Sequence, residues 1–144
     1  MAHILIAEDE PLLTVYWEGE LEKAGHTVKV AHTGLQTLAL LKDEQFDLMI
    51  TDINMPDGGG FLVASEVSRM NDRIPLIAIS GDPAILSTGV LGKMHKFGAD
   101  AVAVKPIGMD EMLKLIDQVL AAGPRENLMQ RLTGLFESVG KKPA

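Results

Sequence analysis

Short apolar segments alternate along the chain with longer segments in which apolar residues recur every three or four positions. This alternation constrains the fold more than any other feature, because repeated strand and helix units build a parallel sheet. Residues 4–6, 48–50 and 76–79 are continuous apolar runs, which predicts strands covered by helices on both faces. The predicted strands are residues 3–7, 27–31, 46–51, 76–80 and 101–104.

The segments between these strands have the apolar spacing of amphipathic helices. Gly25 and Gly98 lie where the first and fourth helices need a left-handed residue to end. The chain therefore predicts an α/β protein with three layers, doubly wound around one sheet. The predicted helices are residues 11–24, 35–43, 61–70, 84–97 and 109–122.

A further helix is predicted beyond Gly123 and Pro124. Apolar residues recur there at Leu128, Leu132, Leu135, Phe136 and Val139, which indicates one amphipathic helix. We therefore expect one domain over residues 1–122 and a tail helix over 123–144 that is not a separate domain. The tail either docks on its own domain or pairs with a second copy, so a homodimer stays an alternative. With no second helix beside it, it makes no helix-turn-helix for nucleic acid.

Composition excludes several classes of function. The 144 residues contain no cysteine, which excludes a disulfide scaffold, a Cys-ligated zinc site and a cysteine nucleophile. The net charge of −7 argues against broad attraction to nucleic acid or to an anionic membrane. No apolar stretch has the length of a membrane span or of a signal peptide's apolar region, so we expect a cytoplasmic protein.

Acidic side chains follow two strands of the predicted sheet. In open parallel sheets, ligands bind beyond the carboxyl ends of the strands, where Glu8 and Asp9 follow the first strand and Asp52 follows the third. Two carboxylates about 4 Å apart repel by roughly 4 kcal/mol at an effective dielectric of 20. Lys105, after the fifth strand, supplies only one positive charge. Such a set of oxygen ligands favours Mg²⁺.

A carboxylate beside Mg²⁺ can attack phosphorus and form an acyl phosphate. Lys105 and the hydroxyl of Ser80, at the end of the fourth strand, would then neutralise and hydrogen-bond the transferred phosphoryl oxygens. The residues alone therefore indicate phosphoryl chemistry at this edge of the sheet.

The ordered set of motifs resembles the receiver domain of two-component response regulators, over about residues 3–122. The set comprises the acidic pair Glu8 and Asp9, D-x-N-M-P-x-x-x-G from Asp52 to Gly60, Ser80, the G-A-D of residues 98–100 and the K-P of Lys105 and Pro106. The resemblance implies a flavodoxin-like fold with strand order 2-1-3-4-5. It also implies phosphoryl transfer to Asp52 from a histidine kinase or a histidine phosphotransfer protein.

The same resemblance implies a role for each site residue. Glu8, Asp9 and Asp52 would hold Mg²⁺ together with the backbone carbonyl of Asn54. Ser80 would be the switch hydroxyl, and Lys105 would pair with the phosphoryl group. The Lys105–Pro106 peptide bond is expected to be cis.

Two positions depart from the family pattern. Val102 occupies a position where the family often has a switching aromatic residue, and a valine cannot swing between buried and exposed states in that way. The 25 positions from Ser80 to Lys105 are about three more than in typical receivers. We therefore expect switching by rearrangement of residues 81–97 rather than by an aromatic flip.

We interpret the chain as a stand-alone receiver whose output is a contact with a downstream protein, and not as an enzyme beyond its own phosphorylation and dephosphorylation. One alternative is a small Mg²⁺-dependent phosphohydrolase with an aspartyl-phosphate intermediate. Against it, enzymes of the haloacid dehalogenase type begin from D-x-D and carry a cap, whereas this chain has Asp52-Ile53-Asn54. The other alternative is a scaffold that works without phosphorylation, against which the intact acidic set speaks.

Overall fold

Five parallel strands form one sheet in the computed structural model, which describes residues 1–55, 59–68, 70, 74–82 and 99–123. The strand order is β2-β1-β3-β4-β5, and every neighbouring pair is parallel. The expected flavodoxin-like order is therefore confirmed. The strands are β1 (His3–Ala7), β2 (Thr27–Ala31), β3 (Leu48–Asp52), β4 (Leu76–Ser80) and β5 (Ala101–Val104).

The described helices are α1 (Pro11–Lys23), α2 (Gly34–Asp43), α3 (Gly59–Ser68) and α4 (Met109–Ala122). The predicted helix over 84–97, the cap at Gly98 and the tail helix after Gly123 lie outside the described residues. Within the described part of the chain, no helix combines the length and the apolar character needed to cross a membrane.

Local chemistry explains where α1 begins and ends. Pro11 occupies the first helical turn, where its missing N–H costs nothing, and its carbonyl accepts a hydrogen bond from Thr14 Oγ1 at 2.8 Å. At the other end Gly25 adopts a φ of 97°, as predicted for a left-handed residue that ends the helix. This turn reverses the chain toward β2.

The core is divided into two clusters by the sheet, as a doubly wound fold requires. Leu5, Met49 and Ala78 face one side with residues of α3, and α2 packs against that cluster. Ile6, Ile50 and their neighbours face the other side with α1 and α4. β3 and β4 are buried along their whole length, whereas β5 is half-buried. The carboxyl ends of the central strands are therefore held between two packed layers.

Four predicted elements have other bounds in the structure, and α1 and α2 each differ by a single residue. The differences are larger in β3 and α3. β3 covers Leu48–Asp52 rather than residues 46–51, because buried Phe46 stacks on the His3 ring ahead of the strand, and Asp52 continues the strand by pairing with Ile79. α3 covers Gly59–Ser68 rather than residues 61–70. Its two starting glycines are poor helix formers, and they hid that start from the apolar pattern.

Candidate functional site

The strand ends bring the predicted residues together through backbone hydrogen bonds of the sheet. Glu8 N donates to Ala31 O at 3.0 Å, which continues the β1 ladder into the acidic pair. Lys105 N donates to Ser80 O at 2.7 Å, which brings the lysine beside the end of β4. The site is thus built on the rigid part of the fold.

Three carboxylates converge at this edge. Glu8, Asp9 and Asp52 each offer an oxygen, and these oxygens lie within 4.8 Å of one another. Glu8 is fully buried, Asp52 is 5% exposed and Asp9 is half-buried. Three charges this close repel strongly and need a compensating cation or a proton.

Lys105 provides part of that compensation. Its Nζ lies 2.7 Å from Glu8 Oε2 and 3.2 Å from Asp52 Oδ2, and the more exposed Glu10 Oε1 is 4.0 Å away. Glu8 Oε2 is buried, and its close ion pair with Lys105 Nζ is its main electrostatic compensation. The Lys105–Pro106 bond is cis, as expected.

The pKa values reflect this crowding. Burial raises the pKa of Glu8 from 4.5 to about 7, the Lys105 ammonium opposes the rise, and the charge on Asp52 adds to it. Burial would lower the pKa of Lys105, but the carboxylates of Glu8 and Asp52 outweigh it and hold that pKa above its usual range. Glu8 is therefore the costly charge of the cluster, and a bound cation would favour its ionised form.

The residues fit a divalent cation. The donor set is entirely oxygen, Glu8 and Asp52 are buried, and the three carboxylates have one ammonium group beside two of them. Oxygen ligands and partial use of carboxylates are what Mg²⁺ prefers in proteins. The remaining charge of the cluster is thus the kind that this ion removes.

Both oxygens of Asp52 are held by neighbours. Asn54 N donates to Oδ1 at 3.0 Å, and Lys105 Nζ donates to Oδ2 at 3.2 Å. The carboxylate is therefore oriented by one backbone group and one cation. Its orientation does not depend on Ser80, whose hydroxyl oxygen accepts from the Asn54 side chain and from Asp82 N.

Sequence reasoning missed several supporting contacts of this site. His32 is exposed, and its Nδ1 lies 3.0 Å from the backbone carbonyl of Glu8. Glu10 N donates to Glu8 Oε1 at 3.2 Å. The Asn54 side chain, whose residue the sequence assigned to the site only through its backbone carbonyl, donates to Ser80 Oγ. A histidine directly after the neighbouring strand is the one signal that pointed toward such a contact.

The strand order defines a flavodoxin-like α/β protein. Its acidic site, at the carboxyl ends of the strands, is suited to bind a cation. The family model of the response regulator receiver domain matches residues 4–117. The chain belongs to this family, and the resemblance read from its motifs is confirmed.

Curated relatives are longer than this chain. It is 31% identical over 129 residues to the response regulator ArlR of Staphylococcus saprophyticus, which covers 90% of this chain and 57% of that protein. It is 28% identical over 118 residues to the transcriptional regulatory protein TorR of Escherichia coli, which covers 82% of this chain and 50% of that protein. The chain thus corresponds to roughly half the length of each of these relatives.

Two solved structures of receiver proteins match over nearly their whole length. The CheY-like receiver domain protein of Methanospirillum hungatei is 26% identical, with a TM-score of 0.78, and the match covers 85% of this chain and 95% of that one. The response regulator TrrA of Thermotoga maritima, solved in complex with Mg²⁺ and BeF, is also 26% identical, with a TM-score of 0.72, and the match covers 83% and 99%.

Proposed function

We propose that this protein is a phosphorylation switch that accepts a phosphoryl group on Asp52 with the help of Mg²⁺. One observation carries the proposal. Asp52 is a buried carboxylate at the end of a central strand, held 3.2 Å from a lysine and beside two further carboxylates. A structural aspartate would need neither the acidic pair Glu8 and Asp9 nor the ammonium group of Lys105. Membership of the receiver family supports the same assignment.

In this proposal Glu8, Asp9, Asp52 and the backbone carbonyl of Asn54 hold Mg²⁺. The ion would neutralise the charge of the carboxylates and of the incoming phosphoryl oxygens. The TrrA structure contains Mg²⁺ and BeF, which supports the proposal that the present chain also binds Mg²⁺.

The chain's own residues then carry the transfer. An Asp52 oxygen attacks the phosphorus of a phosphohistidine, the bond from phosphorus to the histidine nitrogen breaks, and that nitrogen leaves with its electron pair. Lys105, already 3.2 Å from Asp52 Oδ2, pairs with the phosphoryl oxygens, and the Ser80 hydroxyl donates a hydrogen bond to them. The work of the protein is mostly positioning, as in other phosphoryl transfers.

The phosphoryl donor in this proposal is a histidine kinase or a histidine phosphotransfer protein, and the output is a changed contact with a downstream protein. Chemistry beyond the protein's own phosphorylation and dephosphorylation is not part of it. Sustained turnover of small phosphomonoesters would contradict this assignment and favour the phosphohydrolase alternative.

Several sequence-based expectations stay predictions. They include the domain boundary at residue 122, the cytoplasmic location and the homodimer. The loss of aromatic switching at Val102 and the role of residues 81–97 are also predictions. Val102 itself is half-buried and packs against the core cluster of Leu5 and Met49.

The test is intact-mass measurement after incubation with acetyl phosphate and Mg²⁺. We expect wild type to gain one hydroxylamine-sensitive phosphoryl group and Asp52→Asn to gain none. Asp47→Asn, which changes an exposed aspartate before β3, is the matched control and should behave as wild type. An adduct on Asp52→Asn at the wild-type level, or no adduct on any of the three proteins, would overturn the proposal.

A further inference from the structure

The Ser80 hydroxyl is held by two donors at the edge of the site. Asn54 Nδ2 donates to Ser80 Oγ at 2.9 Å, and Asp82 N donates to it at 3.0 Å. A serine oxygen has two acceptor positions, so both are used. Among the hydrogen bonds of the described residues, Ser80 Oγ has none to Asp52, so it is held by these neighbours and not by the carboxylate.

Asn54 joins Ser80 to Asp52. Its backbone N–H donates to Asp52 Oδ1, while its side-chain amide reaches the end of β4. The three residues differ in exposure, since Asn54 is exposed whereas Asp52 and Ser80 are buried. An exposed amide exchanges its partner for water at low cost. The bond from Asn54 to Ser80 is thus placed to hold the hydroxyl and also to release it.

We propose that the Asn54 side chain is a positioning residue that holds the Ser80 hydroxyl in its resting rotamer and competes with a phosphoryl group on Asp52 for it. This inference rests on the proposed phosphorylation of Asp52. A change of side-chain rotamer at Ser80 moves its oxygen by roughly 2 Å, which is more than a hydrogen bond tolerates. The bond to Asn54 and a bond from the rotated hydroxyl to the phosphoryl group therefore exclude each other.

Two mutually exclusive contacts set an equilibrium between a resting and a switched state. A ligand shifts such an equilibrium only through its different affinity for the two states. Removing the Asn54 amide weakens the resting state alone, so it raises the affinity for a phosphoryl group. Beryllofluoride affinities are compared at saturating Mg²⁺, because the backbone carbonyl of Asn54 is among the proposed Mg²⁺ ligands.

The experiment is a double-mutant cycle on the full chain with Mg²⁺ and beryllofluoride, followed by NMR. Asn54→Ala should bind beryllofluoride about threefold to tenfold more tightly than wild type, the range expected for one net hydrogen bond. In the Ser80→Ala background, Asn54→Ala should have no effect. Hα–Hβ couplings of Ser80 without beryllofluoride should show one rotamer in wild type and averaging in Asn54→Ala.

Other outcomes overturn the proposal. Unchanged or weaker beryllofluoride binding by Asn54→Ala, or an equal change in both backgrounds, would show that the amide does not compete for Ser80. Asp52→Asn separates this failure from a failure of the proposed function. Loss of binding in Asp52→Asn without coupling between Asn54 and Ser80 defeats only the inference, whereas wild-type binding by Asp52→Asn defeats both.

Discussion

The polar groups at the two ends of the sheet differ in how completely they are paired. At the amino end, the His3 ring stacks on Phe46 with centroids 4.7 Å apart, and its nitrogens contact Thr27 Oγ1 and Glu44 Oε2. His3 N also donates to Asp47 Oδ2 at 2.7 Å. At the carboxyl end, three carboxylates converge, and a single lysine contacts two of them, the buried Glu8 and Asp52.

This difference separates structure from function. The polar groups at the amino end are paired with one another near the surface, so their contacts stabilise the fold. The carboxyl end keeps buried charges that its own lysine only partly compensates, which costs stability and fits the proposed binding of a cation. Proteins commonly accept such local instability at functional sites. The predictions below test whether the two ends differ in this way.

The largest expected difference is in Mg²⁺ affinity. Asp9→Asn removes a ligand charge at the carboxyl end, and its effect should exceed the roughly tenfold to hundredfold cost of losing an outer-shell partner. Asp47→Asn, at the amino end, keeps an oxygen to accept from His3 N and should bind Mg²⁺ as wild type does. Titration calorimetry measures both. Equal losses in the two variants would erase the distinction between the ends.

Removing Lys105 should lower the stability of the fold, because the carboxylates beside it then repel one another without compensation. Lys105→Met leaves the buried carboxylates without their ammonium, so it should lower the free energy of unfolding of the metal-free protein by about 3 kcal/mol. Mg²⁺ should then stabilise this variant more than wild type, because the cation takes over the missing charge. Urea unfolding with EDTA and with Mg²⁺ at pH 8 measures both quantities.

The matched control for that variant is Lys23→Met, which removes an exposed ion pair with Glu20 of 3.2 Å. Such surface pairs contribute less than about 1 kcal/mol, so this variant should unfold nearly as wild type and respond normally to Mg²⁺. A Lys105→Met protein as stable as Lys23→Met would contradict the picture of uncompensated charge.

The free energy of unfolding should depend on pH through the protonation of Glu8. Its pKa is raised to about 7 in the folded protein, so its stabilising contribution is complete below pH 4.5, the ordinary value, and is lost as the pH rises through about 7. Glu8→Gln lacks this loss. In EDTA, its free energy of unfolding relative to wild type should therefore increase from pH 5 to pH 8 by about 1 to 3 kcal/mol.

The check is urea unfolding of both proteins at the two pH values. The titration of groups that do not interact with Glu8 cancels in the difference. A difference that stays constant with pH would show that Glu8 is not the costly charge.

The smallest expected effect belongs to the amino end. His3→Ala removes the ring stack on Phe46 and the contacts with Thr27 and Glu44, so it should destabilise the fold by about 1 kcal/mol. Its Mg²⁺ affinity should equal that of wild type. A change in Mg²⁺ affinity would mean that the two ends are energetically coupled.

The fold was predictable because the apolar runs of buried parallel strands are strong signals. Ile4, Leu5 and Ile6 have no alternative to burial on both faces, and the structure buries all three completely. The ends of a strand were less predictable where an apolar residue lies outside the strand or a charged residue lies inside it. Phe46 is apolar yet lies outside β3, and Asp52 is charged yet lies inside it.

The residues that form the site were also predictable, because the carboxyl ends of parallel strands lie at one edge of the sheet. Glu8, Asp52 and Lys105 meet there as expected. The bond from Asn54 to Ser80 and the contact of His32 with the Glu8 carbonyl depend on rotamers and loop backbone. Neither has a period or a spacing in the sequence.

The most direct test of this account is an NMR titration of wild type and Asp52→Asn with beryllofluoride in the presence of Mg²⁺. We predict saturable shifts in wild type that centre on Asp52, Ser80 and Lys105 and leave the amino-end residues His3 and Asp47 nearly unmoved. Asp52→Asn should show no saturable shift. Equal responses from the two proteins, or shifts centred on the amino end, would contradict the assignment of Asp52 as the phosphoacceptor.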